Sequence, residues 1–267
     1  MSLAEGLARE YVFLSAVGRT TYRMRHVRPD ALYTISDILE ETARRKPSNI
    51  AILYKDQIVT YKDLAEGANR YARWAIAQGV RKGDTVALLM ANRPDYLMAW
   101  LGIVKLGGVV ALLNPNLHGE VLAHCIERTN ARLVIAGGEL AAGYASIWSH
   151  VETHPTLWTA GSQTADAEDL DAALAQYSPA PIELSVRAGL TASDDALLVY
   201  MPGSTDLAKA TNVTHQRMLS MMFRVAGALG ATAGDRMYNP LPLYHVSGGI
   251  CAVGVALTSG GSLVIRD

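Results

Sequence analysis

A chain of 267 residues, half of them hydrophobic, carries enough apolar material for one large core or two lobes. Its formal charge of −1 gives no general attraction to nucleic acid. The two cysteines, Cys125 and Cys251, lack metal-ligand spacing and read as buried, inert thiols that suit a reducing cytoplasm.

The start, Met1 to Arg19, mixes Glu5, Arg9, Glu10 and Arg19 with apolar residues and lacks a basic leader, so no signal peptide is expected. It reads as an amphipathic surface helix, and peripheral contact through it is the most membrane association the sequence allows. Met98 to Leu113 is interrupted by Lys105, and Ile250 to Leu263 is Gly- and Ser-rich, so neither reaches the ~20 apolar residues of a membrane span.

Ile50 to Tyr54 and Gln57 to Thr60 predict a hairpin around Lys55-Asp56. Thr60 then caps a helix over Tyr61 to Ala77, with Leu64, Ala68, Tyr71, Ala72 and Ala75 on one face. Thr85 to Met90 is an apolar strand, Pro94 opens a helix, and Gly107-Gly108 ends it. Val109 to Leu113 predicts a strand, Glu120 to Arg128 a helix, and Arg132 to Ala136 a strand. His150 and His154 are spaced to share a helix face that Pro155 ends, and with His118 and His124 they form no metal set. Thr164 to Pro181, with Asp166, Glu168, Asp169 and Asp171, reads as an acidic surface helix and a Pro-rich linker. Gly83-Asp84 and Gly234-Asp235 read as turns before strands. A helix over His215 to Leu229, a strand over Arg236 to Asn239, a helix over Ile250 to Leu257 and a strand over Ser262 to Ile265 complete the pattern. Continuous apolar strands between helices predict an α/β fold, with parallel or mixed sheets covered on both faces.

Tyr200-Met201-Pro202-Gly203-Ser204-Thr205-Asp206-Leu207-Ala208-Lys209 follows the apolar run Ala196 to Val199 and precedes the helix at His215. A strand, a Gly/Ser/Thr loop with a Lys, then a helix is a layout that holds phosphate, and it is equally a plain strand–turn–helix connection. It does not fit the Walker spacing, because no second Gly stands before Lys209. Ser204 lacks the Gly-x-Ser-x-Gly elbow of a hydrolase nucleophile. Further on, Tyr238-Asn239-Pro240-Leu241-Pro242-Leu243-Tyr244-His245 ends in Gly248-Gly249, which places His245 on a loop.

The first of these segments resembles the phosphate loop of the adenylate-forming enzymes, Tyr-Thr-Ser-Gly-Thr-Thr-Gly-x-Pro-Lys-Gly. Tyr200, Gly203, Thr205 and Lys209 match it, Ser204 matches conservatively, and Asn212-Val213-Thr214-His215 looks like its continuation. Ala210, the Leu-Pro-Leu-Tyr-His string and Gly260-Gly261-Ser262-Leu263 are similar to the long- and very-long-chain acyl-CoA synthetase branch, which includes the fatty acid transport proteins. Thr60 to Leu64, Gly79 to Asp84 and Leu106 to Pro115 resemble the family's opening, so the likeness runs from about Tyr33 to Asp267.

The resemblance implies ATP-dependent activation of a fatty acid to acyl-AMP, then a thioester with CoA, with ATP and Mg²⁺ as cofactors. It implies Gly203, Ser204 and Thr205 at the phosphates, Lys209 as their counter-charge, and His245 beside the acyl chain. The chain departs from the pattern at Met201, Pro202, Asp206 and Ala208. It also carries no Tyr-Gly-x-Thr-Glu string for Mg²⁺, no Tyr-x-x-Thr-Gly-Asp string for the ribose, and no lobe with the family's catalytic Lys. The expected organisation is an N-terminal extension over 1–30, a first α/β lobe over 31–163 and an acidic, Pro-rich linker over 164–190. The start of a second α/β lobe follows over 191–267, truncated after its phosphate-type loop. Two readings follow. One is an incomplete fatty acid–CoA ligase, with little activity alone and a homo-oligomer or the missing C-terminal part as partner. The other is a non-catalytic relative that binds an acyl chain or a partner, or a gene remnant, whose last strands expose apolar sheet edges.

Overall fold

The computed structural model describes residues 3–162, 166–201 and 209–266. Helix α1 (Leu3–Met24) docks by its C-terminal half: Arg19 donates to the Gly227 carbonyl at 3.2 Å and Arg23 to that of Ala231. Its N-terminal half leaves Leu7, Tyr11, Phe13 and Leu14 exposed. Among the described residues no helix is long and apolar enough to cross a membrane. Helix α2 (Ile35–Arg45) opens on Thr34, whose N–H and hydroxyl both donate to the Asp37 carboxylate, and it buries Ile35, Ile38 and Leu39.

Strands β1 (Ile50–Tyr54) and β2 (Gln57–Thr60) form the predicted hairpin, with Lys55 at φ 51° in its turn. Thr60 ends β2 and caps α3 (Tyr61–Ala77): Asp63 N–H donates to Thr60 Oγ1 at 3.1 Å, and Thr60 N–H donates to the Asp63 carboxylate at 2.9 Å. There follow β3 (Thr85–Leu89), α4 (Pro94–Lys105), β4 (Val109–Leu112), α5 (Gly119–Thr129), β5 (Leu133–Gly137), α6 (Ala141–Ala145), β6 (Thr156–Ala160), β7 (Glu168–Asp169) and α7 (Leu170–Ala175). The chain continues through β8 (Asp195–Met201), β9 (Lys209–Thr214), α8 (His215–Leu229), β10 (Arg236–Asn239), a π-helical turn (Val246–Ala252), α9 (Val253–Ser259) and β11 (Ser262–Ile265).

These strands make two sheets. The larger has the order β7-β6-β5-β3-β4-β8-β9 and is parallel except where β9 pairs β8; the smaller has the order β10-β11-β1-β2 and is parallel except for the β1–β2 hairpin. Alternation along β3 shows why both faces are covered. Val86 and Leu88 pack with Tyr71, Trp74 and Trp100 of α3 and α4, whereas Ala87 and Leu89 pack with Leu122 and Ile126 of α5. Each fully buried Leu or Val contributes roughly 1.5–3 kcal/mol. Helices α3 and α4 cross closely enough that a Cβ on Gly102 would lie 2.5 Å from the Ala68 carbonyl oxygen.

The structure departs from the sequence reading at four places. No helix joins His150 to His154: Trp148–His150 is one 3₁₀ turn, His154 has φ 43°, and Thr156 starts a strand that pairs β5. Part of 164–190 is strand β7 and short α7, and strands on either side of that segment share one sheet. The helix near Ile250 starts earlier, as a π turn at Val246, and runs to Ser259. Of the last two strands, β10 is an edge of the smaller sheet, whereas β11 lies between β10 and β1, with Leu263 and Ile265 buried. Gly83-Asp84 and Gly234-Asp235 are turns, each Asp accepting a backbone N–H from three residues back.

Candidate functional site

Strands β3, β4 and β8 lie side by side and parallel, so the chain leaves all three at one edge of the sheet. With neighbouring strands ~4.8 Å apart, the exits of β3 and β8 are about 10 Å from each other. The carboxyl edge of such a sheet is where α/β folds bind ligands. Asn92, just past β3, ties the second motif to this edge. Its Nδ2 donates to the carbonyls of Leu241 (3.1 Å) and Arg266 (2.8 Å), and its Oδ1 accepts from Leu243 N–H (2.8 Å). The loop bearing Tyr244 and His245 therefore sits at the same edge as the end of β8. Sequence reasoning missed Asn92, a polar loop residue with nothing local to mark its partners.

Met201 pairs with Lys209 across the β8–β9 ladder, which returns the chain to that edge. Gly203, Ser204 and Thr205 lie outside the described residues. Lys209 is exposed, and among the described residues its ammonium has no hydrogen-bond or ion-pair partner. The expected strand–loop–helix layout is corrected here. Strand β9 stands between the loop and α8, because Asn212 and Val213 continue the ladder against Leu198 and Leu197. The amino end of α8 is thus separated from Met201 and Lys209 by the length of β9. Tyr200 anchors the approach: it is 8% exposed and its hydroxyl donates to the Cys125 carbonyl at 2.7 Å. Burial pushes the Cys125 thiol up to about 11, so it stays protonated and unreactive at neutral pH.

His245 is exposed, with its ring 6.4 Å from that of Tyr244 and inclined by 80°. It precedes the π turn, and its carbonyl accepts from Gly249 N–H at 2.7 Å. Only glycine fits there: a Cβ on Gly248 would lie 2.3 Å from the Pro242 oxygen, and one on Gly249 would lie 1.9 Å from the Leu243 oxygen. The Gly-Gly pair thus lets the Leu-Pro-Leu segment fold back on the turn that follows it. Beneath lies Tyr96, 1% exposed, whose hydroxyl has no partner among the described residues; burial first and Tyr244 second push its pKa well up.

His215 opens α8 fully buried, and neither ring nitrogen has a partner among the described residues. Desolvation pulls its pKa down to about 4, against the opposing pull of Asp194 and Asp37. The unfolded chain therefore takes up a proton that the folded chain refuses. Stability should be full above about pH 6.5 and fall as the pH drops towards 4, by up to about 3 kcal/mol. Urea midpoints at pH 7.5 and 4.5 should show this loss, and His215→Leu should remove that share of it; an equal loss in both proteins would refute the assignment.

Among the described residues no three His, Cys, Asp or Glu side chains come together as a metal site.

Two mixed sheets flanked by helices, with a Lys-bearing hairpin and a Gly-Gly-backed loop at one carboxyl edge, define an α/β fold. Residues 39–267 match the AMP-binding enzyme family, and the chain belongs to that family. Mouse long-chain fatty acid transport protein 6 is 32% identical over 241 residues, covering 88% of this chain and 38% of that protein. A medium/long-chain-fatty-acid–CoA ligase of Mycobacterium tuberculosis is 31% identical over 240 residues, covering 89% of this chain and 39% of that protein. The chain thus spans about two fifths of the length of the curated relatives it matches. In fold it is similar to an anthranilate CoA ligase in complex with anthranoyl-AMP, with a TM-score of 0.79 at 20% identity, over 88% of this chain and 45% of that one.

Proposed function

We propose that this chain supplies the polyphosphate side and part of the acyl wall of a fatty acid–CoA ligase, with little or no adenylation activity of its own. The observation that carries the reading is the convergence of the Lys209 hairpin and the His245 loop on one sheet edge through Asn92. Gly203, Ser204 and Thr205 face the phosphates in this reading, Lys209 balances their charge, and His245 lines the acyl chain. ATP supplies the adenylyl group and CoA accepts the acyl group. The similarity to fatty acid transport proteins and to a fatty-acid–CoA ligase supports a fatty acid as the substrate. The chain works in the cytoplasm, with at most peripheral membrane contact, and its partner is a second copy or a segment equivalent to the C-terminal part of its longer relatives. In-line attack of a carboxylate on the α-phosphate needs positive charge around the transition state, and the family's ribose, Mg²⁺ and catalytic Lys motifs are not in these 267 residues.

Pyrophosphate exchange over fatty acids of several lengths tests this. We expect exchange no greater than background for the chain alone, and substantial ATP-dependent exchange would overturn the reading. A second reading, a non-catalytic relative that holds an acyl chain or a partner, is favoured by Pro202, which has no N–H to donate, and by the negative charge of Asp206. Calorimetric titration separates the two: micromolar ATP binding supports the ligase reading, and its absence supports the second.

A further inference from the structure

A cavity of about 670 Å³ opens at the amino end of β6, the sheet edge opposite the candidate site, and is bordered by α6, the turn at Trp148 and β7. Three rings stand along it. Trp148 lies 6.2 Å from Tyr144, inclined by 60°, and 4.5 Å from His154, inclined by 36°. Two of the rings are held in place by the fold. Tyr144 is buried and its hydroxyl donates to the Pro155 carbonyl at 3.1 Å, while His154 sits in a backbone with φ 43° that few side chains adopt. Trp148, by contrast, leaves 45% of its surface to solvent.

Asp166 and Glu168 line the same cavity. Both are exposed, and among the described residues neither carboxylate has a hydrogen-bond or ion-pair partner. No Lys or Arg is among the described residues that line it. Three aromatic rings and two carboxylates without partners among the described residues therefore border one volume. A strongly hydrated metal ion gains little from aromatic walls. An organic cation whose charge is spread over methyl groups gains from both the rings and the acids, and loses little water.

We propose that this cavity binds the quaternary ammonium group of a small molecule, with Trp148 as the platform and Asp166 and Glu168 as the counter-charge. The proposal is independent of the ligase reading. Its test is calorimetric titration of the chain with choline and tetramethylammonium at constant ionic strength, followed in parallel by tryptophan fluorescence. Saturable binding at millimolar concentration or below is expected. The neutral isostere 3,3-dimethylbutan-1-ol should bind about tenfold more weakly or worse, as the loss of a cation–π contact requires. Trp148→Ala should weaken choline by about tenfold, and Asp166→Asn with Glu168→Gln by several-fold. Trp148→Phe, which keeps a ring, should retain most of the binding and guards against a misfolded Ala variant. No saturation by about 20 mM choline would overturn the proposal, as would equal affinity for the neutral isostere. Binding to phosphatidylcholine vesicles without binding to free choline would also overturn it, because the ligand would then be a lipid surface.

Discussion

Pro202→Ser combined with Asp206→Gly should raise the affinity of the chain for ATP by between about thirtyfold and a thousandfold. The upper figure comes from charge. A carboxylate 4 Å from a phosphate, at an effective dielectric of 20, is opposed by about 4 kcal/mol, and 1.4 kcal/mol is tenfold. The lower figure is what restoring one hydroxyl and one N–H donor brings, at about 1 kcal/mol each. Both positions lie in the segment between Met201 and Lys209, whose strands hold its ends together. Magnesium screens the repulsion, so the gain should be larger in EDTA than with Mg²⁺. Titration of the double variant in both buffers decides the matter. An unchanged affinity in EDTA would mean that the loop's composition is not what limits nucleotide binding.

Glu40→Ala should destabilise the fold by about 3–5 kcal/mol, more than Lys105→Met does. Lys105, on α4, is 3% exposed, and its ammonium donates to the Glu40 carboxylate and to Asn69 Oδ1 at 2.6 Å. Burial lowers its pKa, and Glu40 is the largest influence that raises it. Without Glu40 the cation stays buried, with the Asn69 amide oxygen as its hydrogen-bond partner and Asp37 as a weaker opposite charge. Without Lys105 the carboxylate, whose side chain is 31% exposed, can turn to water. The pH dependence gives a second readout. A Lys held below its unfolded pKa lets the unfolded chain bind more protons, so stability rises with pH up to about 10.5. The deficit of Glu40→Ala should therefore shrink as the pH is raised from 7 to 10. Urea unfolding at both values checks this, and equal costs for the two variants would sink the argument.

What the sequence revealed depended on how local the governing chemistry was. Thr60 and Asp63 announce the start of α3 because both halves of the capping box are three residues apart. Thr34 and Asp37 carry the same three-residue signal for α2. Pro155 was read as the end of a helix; it is the last residue before β6, whose Leu157 and Ala160 are buried by long-range packing. Both site motifs were legible as strings, in order and with their departures. Their meeting at one edge was not, since it rests on three hydrogen bonds from Asn92 to residues far along the chain.

The smaller sheet has a consequence for how the chain reaches its native state. Strand β11 joins β1 to β10, with Ile52 opposite Leu263 and Met237 on its other side. During synthesis, the β1–β2 hairpin (Ile50–Thr60) therefore emerges well before its parallel neighbour (Ser262–Ile265), whereas β10 (Arg236–Asn239) precedes that neighbour only briefly. A ribosome adding roughly 5–20 residues per second leaves the inner rim of that hairpin unmatched for about ten seconds or longer. Contacts so distant along the chain close slowly. The residues from Ser262 to Ile265 thus act as a late keystone, and the interval before their arrival is when this protein most needs a chaperone.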